Sequence, residues 1–243
     1  MRPHVIKARA GGRPLFIFAD HASRHIPKAL NNLGLNGDDL TRHIAHDVGT
    51  MGLLEGLCER FGCGGQAATI SRLVIDVNRD PNAEGLIPQI SDGTKIAGNF
   101  NVNASERARR ISAYHAPYHS VLGENIERAA RDSCDPLIVS LHSFTPNLRT
   151  DGLFRMTEIG LLFKSDPKTA QLTAAQFTRM GRNFSVGMNR PYSAFDLNYT
   201  VDVQVTPRGL RHVTFEVRQD LIGDKAGERD MVDVLARVIS RVI

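Results

Sequence analysis

Cysteine is scarce and unpatterned in this chain. The three residues Cys58, Cys63 and Cys134 form an odd set with no Cys-x-x-Cys pair, which argues against a disulfide framework and against a thiolate zinc cluster. Reduced, packed thiols are expected instead. Long apolar runs are also missing: none approaches the length of a membrane span, so no membrane partner is expected. The N-terminal stretch Met1-Arg-Pro-His-Val-Ile-Lys-Ala-Arg9 lacks the apolar core of a signal peptide, and a cytoplasmic protein is the expectation. Charge of one sign is nowhere concentrated. The formal net charge is +4 and the pI about 9.1, but basic residues are scattered among acidic ones. Nucleic acid is therefore not an expected partner, and small anionic substrates fit the balance equally well.

What is present is an ordinary globular composition. The chain has 243 residues, 42% apolar and 23% charged, enough for one large core. Residues 15–19 read as a buried strand, and residues 47–61 carry apolar side chains at helical spacing. A strand rich in β-branched residues is expected over 67–77, followed by a long Gly/Asn/Asp/Pro-rich covering loop over 81–103. A helix over 105–132 would start at Ser105 as N-cap and be kinked by Pro117. Strands are expected at 137–141 and 159–164, a helix at 168–180, a short Gly-containing segment at 185–191, an alternating strand or loop edge at 200–206, a buried strand at 212–217, and an amphipathic helix at 230–243. No linker or repeat interrupts the pattern. It implies an α/β fold, a single domain over residues 1–243 with a mainly parallel or mixed central sheet and helices on both faces. Oligomeric state is not fixed by these signals.

Polar residues recur at the ends of the expected strands. The run Pro14-Leu-Phe-Ile-Phe-Ala-Asp-His21 delivers a histidine, as does Pro136-Leu-Ile-Val-Ser-Leu-His142, and His212-Val-Thr-Phe-Glu216 delivers a carboxylate. In open α/β sheets ligands bind beyond the carboxyl ends of the strands, where this reading puts His21, Arg79, His142 and Glu216. A lone strand-end histidine is ordinarily structural. Two imidazoles and a glutamate converging from distant strands would instead suit a hydrolytic metal site, with small neighbours Ala22, Ser23 and Ser143 leaving room for substrate.

The segments Asp20-His-Ala-Ser-Arg-His-Ile-Pro27, His46-Asp-Val-Gly49, Ser71-Arg-Leu-Val-Ile-Asp-Val-Asn-Arg79, His142-Ser-Phe-Thr-Pro146 and Thr214-Phe-Glu-Val-Arg-Gln-Asp220 together resemble the N-formylglutamate amidohydrolase family, over about residues 15–222. That resemblance implies a phosphorylase/hydrolase-like fold similar to the zinc carboxypeptidases and aspartoacylase, one Zn2+ ion, and hydrolysis of an N-formyl or N-acyl amino acid with an acidic side chain. It implies His21 and His142 as metal ligands, Glu216 as general base, Asn78 and Arg79 as the pair gripping a substrate carboxylate, and Arg72 as a further arginine. Ser143 and Arg218 are additional candidate substrate contacts, with Arg155 a weaker one.

One position departs from the family pattern. The carboxylate ligand of the wider superfamily often follows the first histidine by three residues, and here that residue is Arg24, which has no acceptor and stays protonated. Asp47 is the candidate replacement, with N-capping of the next helix as its alternative use; His46 is the next choice. Arg24 also leaves open a non-catalytic carboxylate-binding module that has lost the metal, beside a peptidase-like hydrolase on the same scaffold. His115 and His119 have i, i+4 spacing, but no Glu follows His115 and Pro117 intervenes, so helix packing is the preferred reading. Asp76 and Asp80 are expected to orient Asn78 and Arg79.

Overall fold

A computed structural model describes residues 2–243. Its strands are β1 (His4–Ile6), β2 (Leu15–Ala19), β3 (Gly64–Ala67), the hairpin pair β4 (Ile90–Ser91) and β5 (Thr94–Lys95), β6 (Leu137–Phe144), β7 (Ile159–Leu162), β8 (Val186–Met188) and β9 (His212–Arg218). The helices are α1 (Gly37–Thr41), α2 (Thr50–Phe61), α3 (Ala104–Arg110), α4 (Ala116–Asp132), α5 (Pro167–Arg179), α6 (Tyr199–Gln204) and α7 (Lys225–Ile239). Seven strands form one sheet in the order β1-β3-β2-β6-β9-β7-β8. Its centre, β3-β2-β6-β9, is parallel, while β1 and β7 run antiparallel to their inner neighbours. The chain is a single α/β domain with a mixed, mostly parallel sheet, as the alternation of strand and helix signals implied. Among the described residues no helix is long and apolar enough to cross a membrane.

The period of two along each strand sorts side chains onto two faces. Ile17, Val139 and Phe215 pack with Leu53 and Leu57 of α2, Phe177 of α5 and Leu235 of α7. Phe18 and Ile138 face the other way, onto Leu122 and Ile126 of α4, Val201 of α6 and Val205 at its C-terminal cap. The buried Leu53, Leu54, Leu57 and Phe61 of α2 keep helical spacing, and Gly62 ends that helix in the left-handed region.

Several expected boundaries move, each for a local reason. The strand after α2 is Gly64–Ala67, not 67–77. Residues 70–75 instead bury Ile70, Leu73, Val74 and Ile75 in a second core with Leu86, Ile87 and Ile96 of the covering segment. β-Branched residues reward burial, which this turn-rich stretch provides without a ladder. Residues 200–206 lie mainly in the helix α6: Val201 and Val205 are buried while Val203 is 36% exposed, so the effective spacing is four, not two. Asn103 rather than Ser105 caps α3 through its side chain. Pro117 sits in the first turn of α4, directly after a π-helical turn at Ile111–His115, so the helical path continues past it. Asp224 caps α7 six residues before the expected start. The covering loop holds the β4-β5 hairpin, turned by Asp92-Gly93 with both residues at positive φ. Cys58 and Cys63 are packed as expected, whereas Cys134 is exposed.

The cover is pinned by one buried cation. Arg110 donates to the Val74 carbonyl at 3.0 Å, to Asn99 Oδ1 at 2.8 Å and to Glu106 Oε1 at 2.8 Å. Asn99 in turn donates to the carbonyls of Leu73 and Pro88. Arg110→Ala is expected to destabilise the fold by about 3–5 kcal/mol in urea unfolding, because it strands buried acceptors and opens a void under the cover.

Candidate metal centre

Three buried side chains meet at the carboxyl end of the sheet. The ligand atoms of His21, Asp47 and His142 lie within 4.8 Å of one another. His142 lies within β6, whereas His21 stands two residues beyond the end of β2. Asp47 reaches the pair from the loop before α2, where its backbone N–H donates to the His21 carbonyl at 2.8 Å. The cap of α2 is Gly49, so the Asp47 carboxylate is left for the imidazoles. Its Oδ2 stands 2.9 Å from His142 Nδ1 and 3.5 Å from His21 Nδ1. His46 belongs to no such group among the described residues, and Arg24 is exposed.

Each imidazole is held from behind by a second carboxylate. His21 Nε2 lies 2.7 Å from Asp76 Oδ1, and His142 Nε2 lies 3.5 Å from Asp20 Oδ2. Asp20 Oδ1 accepts from the buried Tyr118 hydroxyl at 2.6 Å. Carboxylates behind the outer ring nitrogens turn both Nδ1 atoms toward a shared point, an arrangement that orients histidines on metals. His21 Nδ1 is buried without a hydrogen-bond partner among the described residues. Ligand atoms about 2 Å from a tetrahedral zinc sit roughly 3.3 Å apart, close to the two separations at Asp47. The donor set and its spacing therefore fit a divalent ion.

Electrostatics agree with this arrangement. Burial opposes ionisation of Asp47, yet the facing imidazoles outweigh it and hold the carboxyl well below the usual range. Burial likewise opposes charge on His21 and His142, and the surrounding carboxylates overcome it, raising both. Such a histidine pair among carboxylates favours positive charge between them, which a proton or a metal ion could supply.

Glu216 stands beside His142 in register on β9. It is 7% exposed, and its Oε2 has no partner among the described residues. Burial raises its pKa to about 7, with Asp47 adding to the rise and His142 opposing it. Gly160 of β7 lies opposite, where an added Cβ would meet Glu216 Cβ at 3.0 Å and the Arg190 carbonyl. The glycine thus makes room for the glutamate.

A cavity of about 520 Å³ opens over these groups and is also lined by Arg72, Asn78, Arg79 and Ser143. Their engagements differ. The Arg72 guanidinium bridges Asp47 Oδ1 at 3.2 Å and Asp76 Oδ2 at 3.1 Å, so its fork serves the protein. Arg79 approaches only Asp76, at 3.8 Å, and is 37% exposed. Ser143 uses its hydroxyl on the Val48 carbonyl. Arg218 lies outside the cavity lining, forked onto Asp220 and donating to the carbonyls of Arg155 and Met156. Arg155 sits behind the cavity wall, donating to the Tyr192 hydroxyl. Asp76 accepts from the Asn78 backbone N–H and lies 3.8 Å from the Arg79 guanidinium, and Asp80 accepts from the Asn82 N–H in the turn that follows.

Sequence reasoning missed three contributions. Asp20 is one; its alternation with Phe16 and Phe18 would have placed it on the His142 face. Asn198, which lines the cavity with a buried, unpartnered amide nitrogen, carried no readable signal. The third is a clamp: His115 and His119 face the carbonyls of Arg79 and Val77 through Nε2 at 2.9 and 2.8 Å, one on each side of Asn78. Thr200 N–H donates to Asn78 Oδ1 at 2.9 Å, so the histidines hold the backbone on either side of Asn78 while α6 holds its side chain.

The family model for N-formylglutamate amidohydrolase matches residues 13–223. Over 99% of its length the chain superposes on 94% of the gene product Atu2144 from Agrobacterium tumefaciens, with a TM-score of 0.91 and 32% identity. It also superposes on N-formylglutamate amidohydrolase from Ralstonia eutropha JMP134, with a TM-score of 0.66 and 18% identity over 99% of this chain and 98% of that one; at that identity the likeness is one of fold. No curated protein sequence matches the chain.

Proposed function

The chain belongs to the N-formylglutamate amidohydrolase family, and from that membership we propose that it is a zinc-dependent amidohydrolase cleaving the amide of an N-formyl or N-acyl amino acid. The observation that carries the reading is the buried His21, Asp47 and His142 group with the unpartnered Glu216 carboxylate in the adjacent strand. His21, Asp47 and His142 would hold the ion. Zinc with three protein ligands supplies Lewis acidity toward a carbonyl oxygen and makes water acidic enough to ionise near neutral pH.

The remaining work falls to the side chains. Glu216 Oε2 accepts the proton of the attacking water and returns it to the departing amine nitrogen, a relay suited to a carboxyl that burial raises above the ordinary carboxylate range. Its burial, at 7% exposure, limits the access of bulk water to that proton. Arg79 receives the substrate carboxylate through its guanidinium fork, and Asn78 beside it fixes the edge of that site. Arg72 holds Asp47 and Asp76 in place.

The direct test is amine release from N-formyl amino acids by zinc-loaded protein, measured alongside metal content. Turnover that tracks bound zinc is the expected result; equal turnover in chelator-treated, metal-free protein overturns the reading. Arg79→Ala is expected to raise KM by roughly 10- to 100-fold with a smaller effect on kcat, since a charge-assisted hydrogen bond of about 1.5–3 kcal/mol is removed from substrate binding. His119→Ala is expected to shift KM in the same direction, more weakly, because it releases the backbone under Asn78.

A further inference from the structure

We propose that the cavity selects N-acyl amino acids with a neutral, largely apolar side chain, carrying one carboxylate to Arg79 and excluding the dicarboxylate class to which an N-acyl glutamate belongs. The proposal rests on the amidohydrolase reading and concerns the part of the substrate away from the scissile amide.

A dicarboxylate is held most strongly by two cationic seats, because charge-assisted hydrogen bonds are the strong ones. Among the described residues the cavity's arginine and non-ligand histidine side chains are three, Arg72, Arg79 and His43. Arg72 is committed to Asp47 and Asp76, and withdrawing it toward a substrate would leave two buried carboxylates short of their counter-charge. His43 faces Asp92 at 3.5 Å beside Arg42; burial pushes its pKa down to about 4, so it is neutral at physiological pH. Among the described residues Arg79 is then the one lining cation whose guanidinium makes no hydrogen bond within the protein. It provides a single seat.

The rest of the lining points the same way. Asp47 and Asp76 are already paired with Arg72 and Asp92 with Arg42, so none of these cations is left for a second substrate carboxylate, and Glu216 adds one more acid to the lining. The wall elsewhere is aliphatic: Ile44, Leu73, Leu148, Leu162 and Leu197 line it, and Ile90 on the β4-β5 hairpin is 58% exposed. An unpaired carboxylate pressed against such a wall loses hydration with nothing in return, whereas an apolar side chain gains by covering it.

The discriminating pair is N-formyl-glutamine against N-formyl-glutamate, equal in size and different in charge, with N-formyl-leucine and N-formyl-methionine as apolar members. With zinc-loaded protein, kcat/KM for glutamine and the apolar pair is expected to exceed that for glutamate by roughly tenfold or more, the penalty of about 1.4 kcal/mol or more for an unpaired charge. Leu148→Arg, in a partly exposed loop, is expected to narrow that ratio by supplying a second seat. Equal or better turnover of glutamate overturns the proposal while leaving the amidohydrolase reading intact. If no N-formyl amino acid is turned over, the amidohydrolase reading fails, and calorimetric binding of N-acetyl-leucine and N-acetyl-glutamate decides the selectivity separately. Tighter binding of the leucine derivative supports the single-seat cavity, and tighter binding of the glutamate derivative overturns it.

Discussion

Glu216→Gln is expected to lower kcat by about 10²–10⁴-fold while leaving zinc content and KM nearly unchanged. The amide keeps the size of the carboxyl and sits in the same register beside His142, so packing survives. What is lost is the atom that accepts a proton. At 1.36 kcal/mol per tenfold change the effect corresponds to roughly 2.7–5.5 kcal/mol of barrier. The sign of the pH dependence follows from the same group. Activity requires the ionised carboxylate, so kcat/KM falls as pH drops through its pKa. That acidic limb lies at or below about pH 7, because a dication held at His21, Asp47 and His142 lowers the pKa of a neighbouring carboxyl further. The limb should vanish in Glu216→Gln. A variant that retains both the rate and the limb would show that the proton is handled elsewhere.

Asp47→Ala is expected to abolish tight zinc binding and, with it, the metal-dependent rate. Asp47 Oδ2 is the atom common to both imidazole contacts, and Oδ1 anchors Arg72. Without it two histidines remain, too few for a catalytic zinc site, which ordinarily has three protein ligands. Metal analysis after dialysis should give about one zinc per chain for the parent protein and close to none for Asp47→Ala. Asp76→Asn, which touches the back of His21, should weaken metal affinity by about 10–100-fold without eliminating it. His46→Ala serves as the contrast, since its ring belongs to no metal-ligand group among the described residues. Full zinc retention in Asp47→Ala, with loss in His46→Ala, would reverse the two roles.

How much of the site could be read in advance follows from where its residues lie. Histidine and glutamate at the carboxyl ends of apolar runs were visible because a parallel strand buried on both faces is written as a near-continuous apolar stretch, and β2, β6 and β9 are such strands. The register was not visible. β2 and β6 pair Leu15 with Leu137, so the position matching His142 is Asp20, not His21, and the two histidines converge only because the chain leaves the sheet after Ala19. Arg24 likewise reads as a defect in a linear motif. In three dimensions it is exposed, and a carboxylate arrives from the next segment.

The sequence by itself determined the alternation of strands and helices, the apolar faces that close the core, and the chemical types available at the strand ends, because each is a local property of residues within a few positions of one another. Only the tertiary structure decided which arginine is available. Arg72 and Arg79 carry the same charge and stand seven positions apart in one motif, yet one is locked between Asp47 and Asp76 while the other stays open to the cavity. The difference comes from contacts between segments distant in sequence, and charge pairing falls off over distances that a linear reading does not contain.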